Sequence, residues 1–156
     1  SSAASDVYKR QNRSRTLTEE NFGLNGVDPK SQYIYVMDTF DFYNYAARHG
    51  NQYDTIVIDP PSFARNKKKT FSVQKNYDDL INGALDVLAP NGTLLLCTNS
   101  SAFSLKAFKN VIKKTLEQAN VEYEIEEVMG LPKDFKTHPH YKPSKYLKAV
   151  FINIKH

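Results

Sequence analysis

The sequence predicts an α/β fold, a sheet with helices on both faces whose last two strands run as an antiparallel pair. Three observations predict it. β-rich runs at 53–58 and 93–98 alternate with segments whose apolar residues recur at helical spacing, the pattern of strands joined by helical crossovers. A length of 156 residues is that of one domain, and 40% hydrophobic with 24% charged residues belongs to a globular chain rather than a disordered tail. Finally, no apolar run approaches the ~18 residues of a membrane span, no signal-peptide pattern opens the chain, and the single cysteine, Cys97, excludes an intramolecular disulfide framework and a multi-thiolate metal site. A cytoplasmic setting without membrane or metal is therefore expected. A net charge of +4 is compatible with a polyanionic partner without requiring one.

Along the chain, residues 1–11 are Ser/Ala-rich and then basic, without periodicity. Asp6-Val7-Tyr8-Lys9-Arg10-Gln11 resembles the frame translation of a transposon end used to build sequencing libraries, so 1–11 are expected to be a disordered scar and 12–156 the folded part. Residues 15–25 read as a helix ended by Asn25-Gly26. A β-rich run at 33–37 closes on Asp38, and 40–48 read as an aromatic-rich helix stopped by His49-Gly50. The nearly continuous apolar run at 53–58 predicts a strand covered on both faces, and Asp59-Pro60-Pro61 ends it, because two prolines cannot continue a central strand. A polar, basic loop is expected over 62–75. Tyr77, Leu80, Ile81, Ala84, Leu85 and Leu88 then share one helical face, with Pro90-Asn91-Gly92 as terminator. After the strand at 93–98, Ser101 or Ser104 caps a helix carrying Leu105, Phe108, Ile112, Leu116 and Ala119. Strands at 121–129 and 147–154 close the fold, joined by a Pro- and Lys-rich loop.

Open α/β sheets bind ligands at the carboxyl ends of their strands, here the loops after Met37, Ile58 and Thr98. Asp59-Pro60-Pro61-Ser62-Phe63 is the most informative of them. A carboxylate at a strand end, followed by two residues of fixed φ, makes a rigid ledge with exposed carbonyls, and Phe63 adds a stacking face. Such a ledge suits a planar base, which donates N–H groups to the oxygens while its ring stacks. The plainer alternative is that Asp59 caps the next segment and the prolines only punctuate. The six glycines, at 23, 26, 50, 83, 92 and 130, contain no G-x-G pair, which excludes a complete Gly-rich nucleotide loop.

The residues at 53–63 and Asn91-Gly92-Thr93-Leu94-Leu95-Leu96-Cys97-Thr98-Asn99-Ser100-Ser101 resemble the class I S-adenosylmethionine-dependent methyltransferases. More narrowly, they are similar to the family of bacterial large-subunit rRNA methyltransferases that modify cytosine C5 or guanine N7. The resemblance implies a Rossmann-like methyltransferase sheet lacking its first two strands, S-adenosylmethionine as cofactor and RNA, above all a base of large-subunit rRNA, as partner. It implies that Asp38, Thr39 and Phe40 hold the adenine of the cofactor, with Asp59 also on the cofactor side, and that Asp59, Pro60, Pro61 and Phe63 receive the acceptor base. The Gly-rich loop and ribose-binding acid are expected upstream of Asn12, so the chain as it stands is expected to bind cofactor weakly and be inactive, with its first ~50 residues less stable than the rest.

Asn99 stands where cytosine-C5 members place a nucleophilic cysteine. Cys97, two residues earlier, lies ~6.6 Å away along a strand, too far to replace it, and reads as a small core residue. Carbon methylation needs a thiolate nucleophile, whereas a ring nitrogen or amino group needs only positioning, so Asn99 favours a nitrogen acceptor. Arg65, Lys67, Lys68 and Lys69 after the ledge, and Lys142 and Lys145 among the lysines before the last strand, are candidate RNA contacts or simply solvated loop charges. His138 and His140 lack a partner at metal spacing. A DNA adenine or protein amide N-methyltransferase, and a non-catalytic RNA-binding module, are the competing functions.

Overall fold

The computed structural model describes residues 11–65, 70–138, 140, 144 and 146–155. The scar expected at 1–11 lies outside the described residues except for Gln11, which opens the first helix. Helix α1 (Gln11–Leu24) ends at the Asn25-Gly26 signal, with Gly26 in the left-handed region at φ 70°. A single 3-10 turn (Pro29–Ser31) follows, capped by Asp28. Helix α2 (Thr39–Arg48) is capped by Asp38, whose carboxylate accepts from Phe40 N at 3.0 Å, and is released by Gly50 at φ 66°. Then come β1 (Tyr53–Ile58), β2 (Phe63–Arg65), β3 (Thr70–Ser72), α3 (Val73–Leu85), β4 (Leu88–Thr98), α4 (Leu105–Gln118), β5 (Glu122–Met129) and β6 (Lys148–Lys155).

The main sheet has the order β1-β4-β6-β5. β1 and β4 are parallel, and β6 inserts antiparallel between β4 and β5. The expected antiparallel closing pair is thus present, and Rossmann-like alternation delivers β1 and β4 side by side with their carboxyl ends at one edge. β2 and β3 form a separate two-stranded hairpin, so the basic loop expected over 62–75 is in part regular structure.

One row of side chains faces the core. Ile56 and Ile58, Leu94 and Leu96, and Val150, Ile152 and Ile154 are buried, in register across neighbouring strands. Against them pack Phe42, Tyr43 and Ala46 of α2, Tyr77, Leu80, Ile81 and Ala84 of α3, and Phe108, Ile112 and Leu116 of α4. The alternate row is more open: Thr55 and Val57 are exposed, and Leu95, Cys97 and Phe151 are half-buried. Helices were expected on both faces; among the described residues α2, α3 and α4 form one layer on one face. For the same reason β1 is not covered on both faces, and Val57 is 53% exposed.

Two further expectations are corrected. Residues 33–37 form no strand: the run is apolar enough, but among the described residues no strand lies beside it to complete a ladder, and Tyr35 instead packs on the rings of Phe42 and Tyr45. Pro90-Asn91-Gly92 does not terminate α3, which stops at Leu85; it sits inside β4, where the β1 register jumps from Tyr53↔Leu88 to Thr55↔Thr93 and Asn91 takes φ 58°. Leu88 accordingly belongs to β4 rather than to the helix.

Gly83 sets the approach of α2 to α3. A Cβ there would lie 2.3 Å from Cδ2 of the buried Tyr43 ring. Gly83→Ala is expected to lower stability by about 1–3 kcal/mol, because overpacking outweighs the ~1 kcal/mol an alanine gains in a helix; chemical denaturation with an unchanged m-value checks this.

Candidate functional site

The site begins where β1 and β4 end. Near this edge a carbonyl of each strand is held by one side chain: the Tyr77 hydroxyl, from the first turns of α3, donates to Cys97 O at 2.7 Å and lies 3.2 Å from Ile58 O. The ring is fully buried, edge-on to Phe108 with centroids 4.9 Å apart, and Phe108 is edge-on to Phe103. Burial, with the nearby Cys97 and Asp59 adding to it, holds the phenol well above its ordinary range, so it stays a donor.

Asp59-Pro60-Pro61 leaves β1 directly after the clamped Ile58 carbonyl. Pro60 is buried, Pro61 half-buried, and Asp59 is exposed with its carboxylate free to accept. The rings anchor the ledge from beneath while the acid faces solvent. Ser62 ties it on two sides: its hydroxyl hydrogen-bonds Asn99 Oδ1 at 3.0 Å, and its carbonyl accepts from Val73 N, at the start of α3, at 3.2 Å. Phe63 opens the β2–β3 hairpin and is 61% exposed, a large apolar ring presented to water. The predicted residues Asp59, Pro60, Pro61, Phe63 and Asn99 are therefore brought to one edge, with Ser62 as the link that the sequence reading passed over.

Asp38 stands at the start of α2, the helix that precedes β1 in the chain. Its Oδ1 caps α2 and its Oδ2 remains for a ligand. Thr39 and Phe40 are half-buried beside it. This acceptor next to a partly sheltered ring fits the amino edge of an adenine.

Cys97 is not a core residue: it is half-buried on the open face of β4. Burial and the Asp59 charge push its thiol up to about 11, which leaves about one molecule in ten thousand as thiolate at pH 7. Lys67, Lys68, Lys69, Lys142 and Lys145 lie outside the described residues, and only the backbone of Arg65 is described, within β2. No group of three or more metal-capable side chains occurs among the described residues.

A profile of the S-adenosylmethionine-dependent methyltransferases matches residues 4–153. The chain belongs to this family. The match reaches back into the segment read as a scar. YwbD of Bacillus subtilis (strain 168), named as a ribosomal RNA large subunit methyltransferase, is 42% identical over 144 residues, which are 92% of this chain and 36% of that protein. Ribosomal RNA large subunit methyltransferase K of Neisseria meningitidis serogroup B is 29% identical, across 86% of this chain and 36% of its own length. Among solved structures, the methyltransferase SMU.776 complexed with SAH superposes with a TM-score of 0.84 at 38% identity over 95% of this chain, and a SAM-dependent methyltransferase from Streptococcus mutans with 0.80 at 35%. The chain covers 37% of each of those two structures, so it spans little more than a third of its relatives. The shared fold is the Rossmann-like one, and the family's cofactor is S-adenosylmethionine.

Two measurements test the site as built. Tyr77→Phe removes both strand-end contacts without changing ring packing and is expected to destabilise by about 1–2 kcal/mol, read by chemical denaturation. Alkylation of Cys97, followed against pH by mass spectrometry, is expected to reach half its maximal rate near 11. Asp59→Asn removes a negative charge that opposes thiolate formation, so it moves that midpoint down.

Proposed function

We propose that this chain is the acceptor-binding part of an RNA base N-methyltransferase acting on large-subunit rRNA. The observation that carries the reading is the Asp59–Phe63 ledge, an exposed carboxylate and an exposed aromatic ring on a backbone anchored by buried proline and by the Ser62–Asn99 hydrogen bond. The names of the relatives supply the RNA class.

In this reading Asp38 Oδ2 accepts from the adenine amino group, with Thr39 and Phe40 beside the ring. S-adenosylmethionine, when bound, supplies an electrophilic methyl group. The chain's own contribution is positioning. Phe63 stacks the acceptor base, Asp59 and the ledge carbonyls accept its N–H groups, and the rigid prolines keep that geometry from relaxing. Asn99, its Oδ1 engaged by Ser62, turns its amide N–H groups toward acceptor atoms of the base. Cys97 takes no part, because a thiol held near 11 is not a nucleophile at neutral pH. This favours as acceptor a nitrogen, which carries its own lone pair. Arg65, Lys67, Lys68, Lys69, Lys142 and Lys145 are proposed to meet the phosphate backbone.

The test is methyl transfer from tritiated S-adenosylmethionine by the protein expressed from its complete open reading frame, offered deproteinised rRNA, DNA and protein in competition. Label in rRNA at a base nitrogen is expected; label at a pyrimidine carbon, or in DNA or protein alone, overturns the reading. Phe63→Ala, which removes a stacking contact of about 1–3 kcal/mol, is expected to cut kcat/KM for rRNA by about tenfold to a hundredfold while the fold is retained.

A further inference from the structure

Lys148 opens β6 amid a run of lysines, yet it is buried, with 7% of its surface exposed. Its ammonium donates to Ser100 O at 2.6 Å. Among the described residues no carboxylate lies within ion-pair distance of it. Burial alone, with no opposing charge, draws its pKa below the ordinary lysine value. An uncompensated buried ammonium is costly, and here it lines a cleft of about 330 Å³ rather than a sealed core. Ser101, Ser104, Leu105, Met129 and Gly130 form the other walls, and no lining residue is acidic. Ser104 Oγ already accepts from Ala107 N, which leaves its own proton to donate, and Leu105 brings the positive end of the fourteen-residue helix α4 to the wall.

The cleft is also adjacent in sequence to the acceptor site. Asn99 and Ser100 are consecutive residues leaving β4, the first bound to the ledge through Ser62 and the second bound to Lys148. One short loop thus touches both the ledge and the cleft.

We propose that the Lys148 cleft is a phosphate site, receiving a backbone phosphodiester of the RNA strand that flanks the acceptor nucleotide. It rests on the RNA reading above. Lys148 supplies the charge, and the Ser101 and Ser104 hydroxyls supply donors. A lysine fixed by the Ser100 carbonyl sets where along the strand the protein sits.

The test uses fluorescence anisotropy of a labelled single-stranded RNA over a salt series, with the wild-type chain, Lys148→Met, Lys148→Arg and, as a surface control, Lys133→Ala. Lys148→Met is expected to weaken binding about tenfold and to reduce the slope of log K against log salt by about 0.7, the value of one single-strand phosphate contact; Lys148→Arg retains the slope, and Lys133→Ala changes affinity little. Ser101→Asp, at an exposed position, places a carboxylate in the cleft and keeps the question open to decision if Lys148→Met fails to fold; it is expected to weaken RNA binding with an unchanged melting temperature. Inorganic phosphate, titrated without RNA, separates the sources: a phosphate-dependent rise in melting temperature that Ser101→Asp abolishes, with an unchanged RNA salt slope in every variant, assigns the cleft to free phosphate and overturns the backbone assignment. RNA binding that none of these variants alters overturns the cleft while leaving the RNA reading intact, and a wild-type chain that binds neither RNA nor phosphate overturns both.

Discussion

One hydroxyl holds the working edge of this sheet together. A site built where strands release their chain into loops inherits the mobility of those loops unless something fixes the strand-end carbonyls. Tyr77 fixes two at once, those of Ile58 and Cys97. Because its ring is locked between α3, α4 and the sheet by Phe108, the tether reports the position of the whole helical layer to the two loops that carry Asp59 and Asn99. The Ser62–Asn99 hydrogen bond then joins those loops above the clamp. The ledge is rigid because of this chain of contacts as much as because it contains proline.

Among the described residues, helices α2, α3 and α4 cover one face of the sheet. Its covered face is apolar from β1 to β6, whereas the opposite face carries a polar ladder in which Thr93 donates to Asn153 and Asn153 donates to Glu126. Hydrogen-bonded side chains on that face are satisfied without needing an apolar layer above them.

How far the sequence was legible depends on which force decides each element. Helices α2, α3 and α4 were readable because amphipathic periodicity and capping residues, Asp38 and Ser104 among them, act locally. The segment at 33–37 has a strand's composition without forming one, because a strand needs a neighbour and composition does not show whether the neighbour is there. The continuous apolar run of β1 likewise suggested two covered faces, though Val57 faces solvent. At the site, Asp59 to Phe63 and Asn99 were visible as chemistry in sequence, but what joins them was not: Ser62 to Asn99 spans 37 positions and Tyr77 reads simply as a core aromatic. A buried tyrosine must satisfy its hydroxyl, which is the signal that points to the clamp. Lys148 gave no such signal, since it stands in a lysine-rich segment and only the fold reveals that it is buried.

The polar ladder of the sheet has an evolutionary consequence. Among the described residues, the contacts that set the ledge come from the helical layer, the buried rows of β1 and β4 and the ledge loops. Substitutions in the Thr93–Asn153–Glu126 ladder are therefore expected to leave Asp59 and Phe63 in place. The residues that hold the ledge and the residues of that ladder are thus free to vary independently.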